Sequence, residues 1–321
     1  MTDFFVGWWN VENLFDIEDS PRREDRIKSK IGSDVRNWTP EVLDTKISQL
    51  SKIIRQMNGG NGPDILGVCE IENEYVLGKL VQGLSSLNKD YKIAHANTGD
   101  GRGIDVAFLY DNSKFILEET FQHWVVKRSA TRELFQANMK VKENDSDLVV
   151  VGNHWPARSS GTYISEPYRM LAGETLSYWM SRILEELGNK TPVMVMGDFN
   201  DEPFNRSIME YALGTNSAEK VRNSKTAPRL YNLMWSLLKE GLATYHYSGS
   251  WTMLDQFMVS KGFLTDGERL ELKPNSTKVE QFSDMIKNGK PHRFGLPKNT
   301  LNLDGYSDHF PISTIISSRS D

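Results

Sequence analysis

The sequence has few features that would cross-link the chain or place it in a membrane. Its 321 residues include a single cysteine, Cys69, so an internal disulfide framework is excluded. No apolar stretch approaches the ~20 residues that a membrane helix needs, and the N-terminus lacks the basic segment of a signal peptide. We therefore expect no stable membrane insertion. The location is expected to be cytoplasmic, or secreted if a leader has been removed from the mature chain.

The formal net charge of -5 gives no excess of basic residues. Tight, non-specific binding to nucleic acid is therefore not expected. A nuclease is still allowed, because a carboxylate-rich metal site and metal-screened phosphates can coexist with an acidic surface. The sequence shows no internal repeat and no linker, so we predict a monomer with a single domain over residues 1–321. Long loops are expected near 16–40 and 264–304.

One apolar run is followed at once by polar residues suited to metal or phosphate chemistry. Val193-Met194-Val195-Met196 lies between Pro192 and Gly197 and predicts a buried strand. Alternation along the chain sends Asp198 and Asn200 to the same side. Taken alone, this pattern is equally typical of a strand that enters an Asx turn.

Other predicted strands end in similar residues, namely Asn10 and Glu12, Glu70 and Glu72, Asn153 and His154, Asp255, and Asp308 and His309. Carboxylate and amide oxygens without a cysteine cluster suit a hard cation, Mg²⁺ or Mn²⁺. The two histidines suit acid–base roles, and a carboxylate such as Asp255 is the natural group to fix the tautomer of His309. This set of side chains fits hydrolysis of a phosphate ester by an activated water.

Six ordered motifs make the chain resemble the endonuclease/exonuclease/phosphatase superfamily. They are Trp9-Asn10-Val11-Glu12, Cys69-Glu70, Asn153-His154, Gly197-Asp198-Phe199-Asn200, Leu254-Asp255-Gln256-Phe257 and Ser307-Asp308-His309-Phe310-Pro311. The superfamily includes DNase I-like nucleases, exonuclease III-like repair nucleases, sphingomyelinases and inositol-polyphosphate 5-phosphatases. The resemblance implies an α+β fold, a four-layer α/β/β/α sandwich of two packed mixed β-sheets flanked by helices, with the site at one rim.

The resemblance also implies roles for individual residues. Glu70 would be the main Mg²⁺ ligand, and the residues implied near the metal are Asn10, Asp308 and Glu12. His309 would be the general base, oriented by Asp255. Asp198 and Asn200 would position the nucleophile and the phosphate, while His154 would stabilise the phosphoryl oxygens or assist the leaving group. Repair nucleases of the exonuclease III type usually have a tyrosine at the position of His154, and the strand motif of the 5-phosphatases is absent at residues 250–255, so neither branch is favoured.

The substrate is less well defined. The candidate substrate contacts are Asn153, Arg158, Trp155 and Trp251. For an arginine, a surface salt bridge is the ordinary alternative, and for a tryptophan, a place in the core. Two loops hold basic residues that suggest a nucleic-acid rim, namely Arg22, Arg23, Arg26, Lys28 and Lys30, and Lys287, Lys290, His292, Arg293 and Lys298, although such runs are usually solvated. We favour a nuclease over a phosphomonoesterase or lipid-headgroup hydrolase, and both over an inactive binding module.

Overall fold

The fold was obtained as a computed structural model that describes residues 1–128, 131–265 and 267–319. The helices of the described residues are α1 (Asp25–Ile31), α2 (Pro40–Gln56), α3 (Glu74–Gly83), α4 (Thr162–Leu187), α5 (Ala218–Arg222) and α6 (Trp235–Lys239). The strands are β1 (Thr2–Leu14), β2 (Ile65–Ile71), β3 (Tyr91–His95), β4 (Asp105–Asp111), β5 (Phe115–His123), β6 (Leu134–Val141), β7 (Ser146–His154), β8 (Val193–Asp198), β9 (Gly214–Thr215), β10 (Leu230–Asn232), β11 (Tyr245–Tyr247), β12 (Ser250–Thr252), β13 (Asp255–Val259), β14 (Leu270–Leu272), β15 (Lys278–Val279), β16 (Ile286–Lys287), β17 (Lys290–Pro291) and β18 (Ile312–Ser318).

Two large mixed sheets form the centre of the molecule. The first has the strand order β14-β18-β1-β2-β4-β3, with β15 also paired to β18. The second has the order β5-β6-β7-β8-β13-β10-β9. In each sheet one central pair is parallel, β1 with β2 and β7 with β8, and the strands beside that pair run antiparallel to it. The first strand, β1, and the last strand, β18, pair directly with each other.

The alternation of side chains along each strand builds the layers. Trp8 points into the apolar cluster between the two sheets, where the rings of Phe108 and Phe135 stack with centroids 5.7 Å apart. Trp9, the next residue, points to the opposite face and packs beneath α2 and α3. Helix α4 covers the outer face of the second sheet. The predicted α/β/β/α sandwich is confirmed, while the prediction of a single domain remains a prediction.

The long loop expected at 16–40 contains a helix that the sequence analysis did not predict. Helix α1 buries Ile27 and Ile31, one turn apart, and Trp38 follows with no exposed surface. The sequence pattern did not predict this helix, because charged residues surround its two buried apolar positions. The described residues of the segment 264–304 include the short strands β14 and β15 and the small hairpin β16–β17. No described helix is long and apolar enough to cross a membrane.

Candidate active site

A cleft of about 690 Å³ opens at the edge where strand ends of both sheets meet. The predicted site residues that line it are Asn10, Glu70, His154, Arg158, Asp198, Asn200, Asp308 and His309. They come from widely separated parts of the chain: the second half of β1, at or shortly after the ends of β2, β7 and β8, and just before β18. The convergence of distant segments that the sequence predicted is therefore present in the structure.

Glu70 enters the cleft through an irregularity in β2. The pairing of β2 with β4 shifts register between Cys69 and Ile71, which leaves Glu70 as the extra residue with a positive φ of 65°. Its carboxylate accepts a hydrogen bond from the Asn13 amide at 2.9 Å. A non-glycine residue held in this region is strained, and such residues concentrate at functional sites. The bulge thus turns a strand residue into a cleft residue.

Asp198 lies at the end of β8, where the sheet is tightly packed. A Cβ at Gly197 would lie 2.4 Å from the carbonyl oxygen of Asn153 on β7, so only glycine fits beside that strand. Asp198 accepts hydrogen bonds from the Asn10 side chain at 3.0 Å and from the Asn200 amide at 2.9 Å. Burial raises the pKa of Asp198 to about 6.

His309 and Asp255 form a buried dyad. His309 Nδ1 lies 2.7 Å from Asp255 Oδ2, and the other oxygen of Asp255 accepts from the Trp8 indole at 3.0 Å. His309 Nε2 faces the cleft, 3.9 Å from Asp198 and 4.0 Å from Asp308. Burial alone would lower the pKa of His309, but the negative charges of these three carboxylates outweigh it and raise the pKa to about 10.

His154 faces the same carboxylates from the second sheet. Its Nε2 lies 3.8 Å from Glu70 and 3.8 Å from Asp198. Nδ1 is buried and has no hydrogen-bond partner among the described residues. Burial, reinforced by the charges of Arg132 and Arg102, holds the pKa of His154 well below its usual value. His154 is therefore neutral at pH 7, so that Nε2 can donate or accept according to the tautomer.

Glu12 was expected near the metal, but it does not line the cleft. With 1% of its surface exposed, it accepts hydrogen bonds from the Arg293 guanidinium at 2.8 Å and the Phe294 amide at 2.7 Å. A positive φ of 52° at Glu12 turns its side chain out of the strand alternation. Arg293 in turn reaches Asp308, with Nη2 3.3 Å from Oδ2. Glu12 thus contacts Arg293, which in turn contacts the cleft residue Asp308.

The sequence analysis did not single out Lys46, which is also buried behind the cleft. Its ammonium group donates to the Tyr306 carbonyl at 2.6 Å and lies 4.7 Å from the centre of the Phe294 ring. Burial lowers the pKa of Lys46 to about 8, against the opposing effect of Glu12 and Asp308. The signal was present in the sequence, because Lys46 lies three residues after Leu43 on the apolar face of α2.

Three of the four predicted substrate contacts do not line the cleft. Asn153 is buried and donates to two backbone carbonyls, and its oxygen accepts from the Trp155 indole at 3.0 Å. Trp155 is 1% exposed and packs edge-on against Phe199, so it cannot stack on a substrate. Trp251 is partly exposed but packs against Phe310. Burial accounts for Asn153 and Trp155, whereas Trp251 stays 42% exposed on the hairpin, outside the cleft lining.

Arg158 does line the cleft, but its Nε and Nη2 donors are already used. Nε donates to the Asn200 carbonyl at 2.6 Å, and Nη2 bonds Asp201 at 3.0 Å and Asn205 at 3.2 Å. Arg158 thus braces the loop that carries Asn200.

Two tyrosines that the sequence analysis did not select lie on the rim. Tyr245 packs on His309 with ring centroids 4.6 Å apart, and Tyr247 follows 6.3 Å beyond Tyr245 with nearly parallel planes. Both belong to the hairpin β11–β12, whose turn residues Ser248 and Gly249 have positive φ values. The alternation of the hairpin puts both rings on the cleft side.

The donor set of the cleft fits a hard cation. Asp198, Asp255 and His309 offer ligand atoms within 4.8 Å of one another. Both oxygens of Asp255 are already committed to His309 and Trp8, however, so this residue supports the histidine better than it supports an ion. Asn10, Glu70 and Asp308 offer further oxygens to the same cleft. A site dominated by oxygen ligands suits Mg²⁺ or Mn²⁺.

The basic rim predicted for nucleic acid is largely engaged in ion pairs. The pairs are Arg22 with Asp16, Arg23 with Glu72, Lys28 with Asp25, Lys287 with Asp304 and Lys298 with Asp34. Their charge is partly neutralised, which weakens any long-range attraction for a polyanion.

Comparison with known proteins identifies the family and agrees with the fold. The model of the Endonuclease/Exonuclease/phosphatase family matches residues 5–318. No curated protein matches the chain. Among solved structures, a truncated TDP2 from Caenorhabditis elegans is 16% identical, with a TM-score of 0.61 over 98% of each chain. An endonuclease/exonuclease/phosphatase family protein from Bacteroides thetaiotaomicron is 15% identical, with a TM-score of 0.59 over 99% of each chain.

A mannosyl-6-phosphatase from Bacteroides thetaiotaomicron is 16% identical, with a TM-score of 0.58 over 98% of this chain and 99% of that one. At such low identity these structures show a shared fold. Because one of them is a phosphatase by name, the fold alone does not choose a substrate.

Proposed function

We propose a function from the premise that this chain belongs to the endonuclease/exonuclease/phosphatase family, whose members are phosphoesterase hydrolases. The proposed activity is metal-dependent hydrolysis of phosphodiester bonds, with nucleic acid as the expected substrate. The observation that carries it is the His309–Asp255 dyad facing Asp198 across a cleft that also holds Glu70 and Asp308.

The dyad supplies the base. Nδ1 of His309 is held by Asp255, so Nε2 is the nitrogen that faces the cleft. The carboxylates that raise the pKa of His309 would be offset by a bound divalent cation, and Nε2 would then be free to take a proton from an attacking water. Asp198, 3.9 Å from that nitrogen, orients the same water from the side. Attack on phosphorus then displaces an alkoxide, and His154 is placed to donate a hydrogen bond to an equatorial oxygen or to the leaving group.

Glu70 and Asp308 would hold Mg²⁺ or Mn²⁺, with Asn10 beside them. When bound, the ion supplies Lewis-acid neutralisation of the phosphoryl oxygens. Asn10 also donates to Asp198 at 3.0 Å, which couples the proposed metal side of the cleft to the proposed water side. Asn200 keeps its side-chain nitrogen on the Trp155 carbonyl at 3.0 Å, so its oxygen is the atom left to orient the nucleophile.

The aromatic rim supports a nucleotide-containing substrate. Tyr247, with 66% of its surface exposed, offers a face next to the cleft on which a base can stack. Since the basic loops are ion-paired, a short or single-stranded nucleic acid fits this rim better than a long duplex, which needs many phosphate contacts.

A lipid-headgroup phosphodiester is the second candidate, favoured by a separate observation. Tyr163 and Ile164 are 88% and 72% exposed at the start of α4, directly after the cleft residue Thr162. Large apolar side chains beside an active site suit the surface of a bilayer.

The test uses purified protein freed of metal with EDTA and then supplied with Mg²⁺ or Mn²⁺. The substrates are plasmid DNA, RNA, bis-p-nitrophenyl phosphate, p-nitrophenyl phosphate and phospholipid vesicles. We expect diester turnover that depends on the added metal, with nucleic acid preferred over vesicles. Monoester turnover without diester turnover would exclude the nuclease, and turnover of vesicles alone would select the second candidate.

A further inference from the structure

Arg293 is fixed at one edge of the cleft by a buried carboxylate. Both its Nε and its Nη2 lie 2.8 Å from Glu12 Oε1, and the amide of the next residue, Phe294, donates to Glu12 Oε2 at 2.7 Å. Phe294 has no exposed surface and packs on Trp38, with ring centroids 5.7 Å apart. One edge of the guanidinium and its backbone are therefore held by the core.

The same edge of Arg293 also reaches Asp308, a carboxylate that lines the cleft. Nη2 lies 3.3 Å from Asp308, while the side chain as a whole remains 54% exposed. Nη1 makes no hydrogen bond to any residue that the structure describes. A planar guanidinium anchored on one side keeps donors in a fixed geometry on the other, which is the arrangement that binds phosphate oxygens.

Two other cations at the cleft are held differently. Nε and Nη2 of Arg158 are bonded to Asn200, Asp201 and Asn205. Lys46 is fully buried under the Phe294 ring. Arg293 differs from both because its guanidinium is exposed and contacts Asp308, a proposed metal ligand.

The charge balance of the cleft calls for such a group. The cleft is lined by the carboxylates of Glu70, Asp198 and Asp308, and a phosphodiester adds a further negative charge. A divalent ion neutralises only part of this total, and the charge that builds up on phosphoryl oxygens in the transition state needs another fixed cation.

We propose that Arg293 binds a non-bridging oxygen of the scissile phosphate, and that Glu12 is the positioning residue that holds it there. This inference rests on the proposed function and adds the group that neutralises the phosphoryl charge. Asp308 keeps Oδ2 near Arg293, while Oδ1 faces His309. The same carboxylate can therefore serve both the arginine and a metal ion.

The test compares Arg293→Ala, Arg293→Lys and Glu12→Gln with the wild type. Arg206→Ala is the matched control, because Arg206 is an exposed arginine paired with Glu210 away from the cleft lining. With bis-p-nitrophenyl phosphate and saturating Mg²⁺, we expect Arg293→Ala to lower kcat/KM by about 10²-fold or more. Lysine should recover only part of this, since it lacks the fork of donors. Glu12→Gln should cause a smaller loss, and Arg206→Ala none.

Two further readouts separate phosphate binding from a structural role. Inorganic phosphate should inhibit Arg293→Ala at least about tenfold more weakly than the wild type, while the Mg²⁺ concentration for half-maximal activity stays the same. Added guanidinium should restore part of the activity of Arg293→Ala but not of Arg293→Lys. An equal loss of Mg²⁺ affinity with unchanged phosphate inhibition would show that Arg293 acts only on Asp308 and would overturn the proposal.

Folding needs its own control, because Arg293→Ala leaves the buried Glu12 carboxylate without its ion pair. The double variant Glu12→Gln/Arg293→Ala removes that charge. Its thermal unfolding should return toward the wild type while its phosphate inhibition stays weak. Normal phosphate inhibition in the folded double variant would refute the role of Arg293. If the wild type hydrolyses no diester, the proposed function fails, and calorimetric titration of phosphate still decides whether Arg293 binds it.

Discussion

The two histidines of the cleft face the same carboxylates but are held very differently. On the first-sheet side, Nδ1 of His309 lies 2.7 Å from Asp255, and its backbone carbonyl accepts a hydrogen bond from the Trp9 indole at 2.9 Å. The ring of His309 also packs against Tyr245. On the second-sheet side, His154 has its Nδ1 buried without a partner among the described residues. The pKa of His309 is raised and that of His154 is lowered.

The difference shows what a paired carboxylate does for an imidazole. Both rings are buried, and burial alone lowers the pKa of a histidine. Asp255 reverses the effect of burial on the pKa of His309 and accepts the Nδ1 proton, so that Nε2 is the nitrogen that faces the cleft. His154 has no such partner among the described residues, so its neutral form is favoured. Its tautomer can therefore be set by the group that Nε2 contacts. With a bound cation offsetting the carboxylates, the first would be suited to proton abstraction. The second is suited to a hydrogen bond with the substrate.

Removal of the proposed base should have the largest effect on activity. His309→Ala should lower kcat on bis-p-nitrophenyl phosphate by about 10²- to 10⁴-fold, the usual contribution of a general base. The measurement is steady-state kinetics at saturating metal, with circular dichroism to confirm folding. Retention of wild-type kcat would remove His309 from the reaction.

The partner of the base comes next. Asp255→Asn should lower kcat by about 10²-fold, because an amide can bind the ring in the wrong tautomer and no longer favours its protonated form. Trp8→Phe removes only the second hydrogen bond to Asp255 and should lower kcat by about tenfold or less. If the two variants are equally impaired, the loss comes from disturbed packing rather than from the dyad.

His154 should matter in a way that depends on the leaving group. His154→Gln keeps a donor but shifts its position, and we expect about a tenfold loss with a p-nitrophenolate leaving group. The loss should be larger with a nucleoside leaving group, which needs more stabilisation. Equal losses across a series of leaving groups would place the hydrogen bond on the phosphoryl oxygens instead.

A third buried histidine, outside the cleft, isolates the effect of burial and should give the smallest change. His123 stacks on Trp179 with centroids 4.1 Å apart and lies 2.7 Å from the Gln136 side-chain oxygen; burial lowers its pKa. As the pH falls below ~6.5, His123 is protonated in the unfolded chain at a higher pH than in the folded chain. This contribution to stability is present above that pH and is lost as the pH falls.

His123→Gln should therefore reduce the drop in unfolding temperature between neutral and mildly acidic pH, with activity at neutral pH unchanged. Thermal unfolding of the wild type and the variant, measured across that range, provides the check. An identical pH dependence in both proteins would show that His123 does not contribute to it.

Several residues of the site could be predicted because they follow apolar strands directly. Asp198, Asn200 and His154 come within two residues of the end of β8 or β7, and the structure places all three in the cleft. Asp255 could be proposed as the partner of His309 for a chemical reason, since an imidazole base needs a carboxylate to fix its tautomer. The hydrogen bond between them agrees with that hypothesis.

Other placements could not be derived from local patterns. Glu70 and Glu12 both leave the regular strand conformation through positive φ values, yet one enters the cleft and the other is buried against Arg293. Trp155 directly follows a cleft residue but turns into the core. In each case the contacting residue is remote in the sequence, 281 positions away for Glu12 and Arg293.

Local sequence patterns were enough to predict the layers of this protein and the kind of chemistry at its rim. Apolar runs set the buried strands, and their polar ends supplied oxygen ligands and two histidines. Long-range packing, in contrast, sets which arginine contacts Asp308, which glutamate reaches the cleft and which histidine has a carboxylate partner. The physical reason is that burial, ion pairing and pKa depend on groups brought together from opposite ends of the chain, whereas hydrophobic periodicity is written into neighbouring residues.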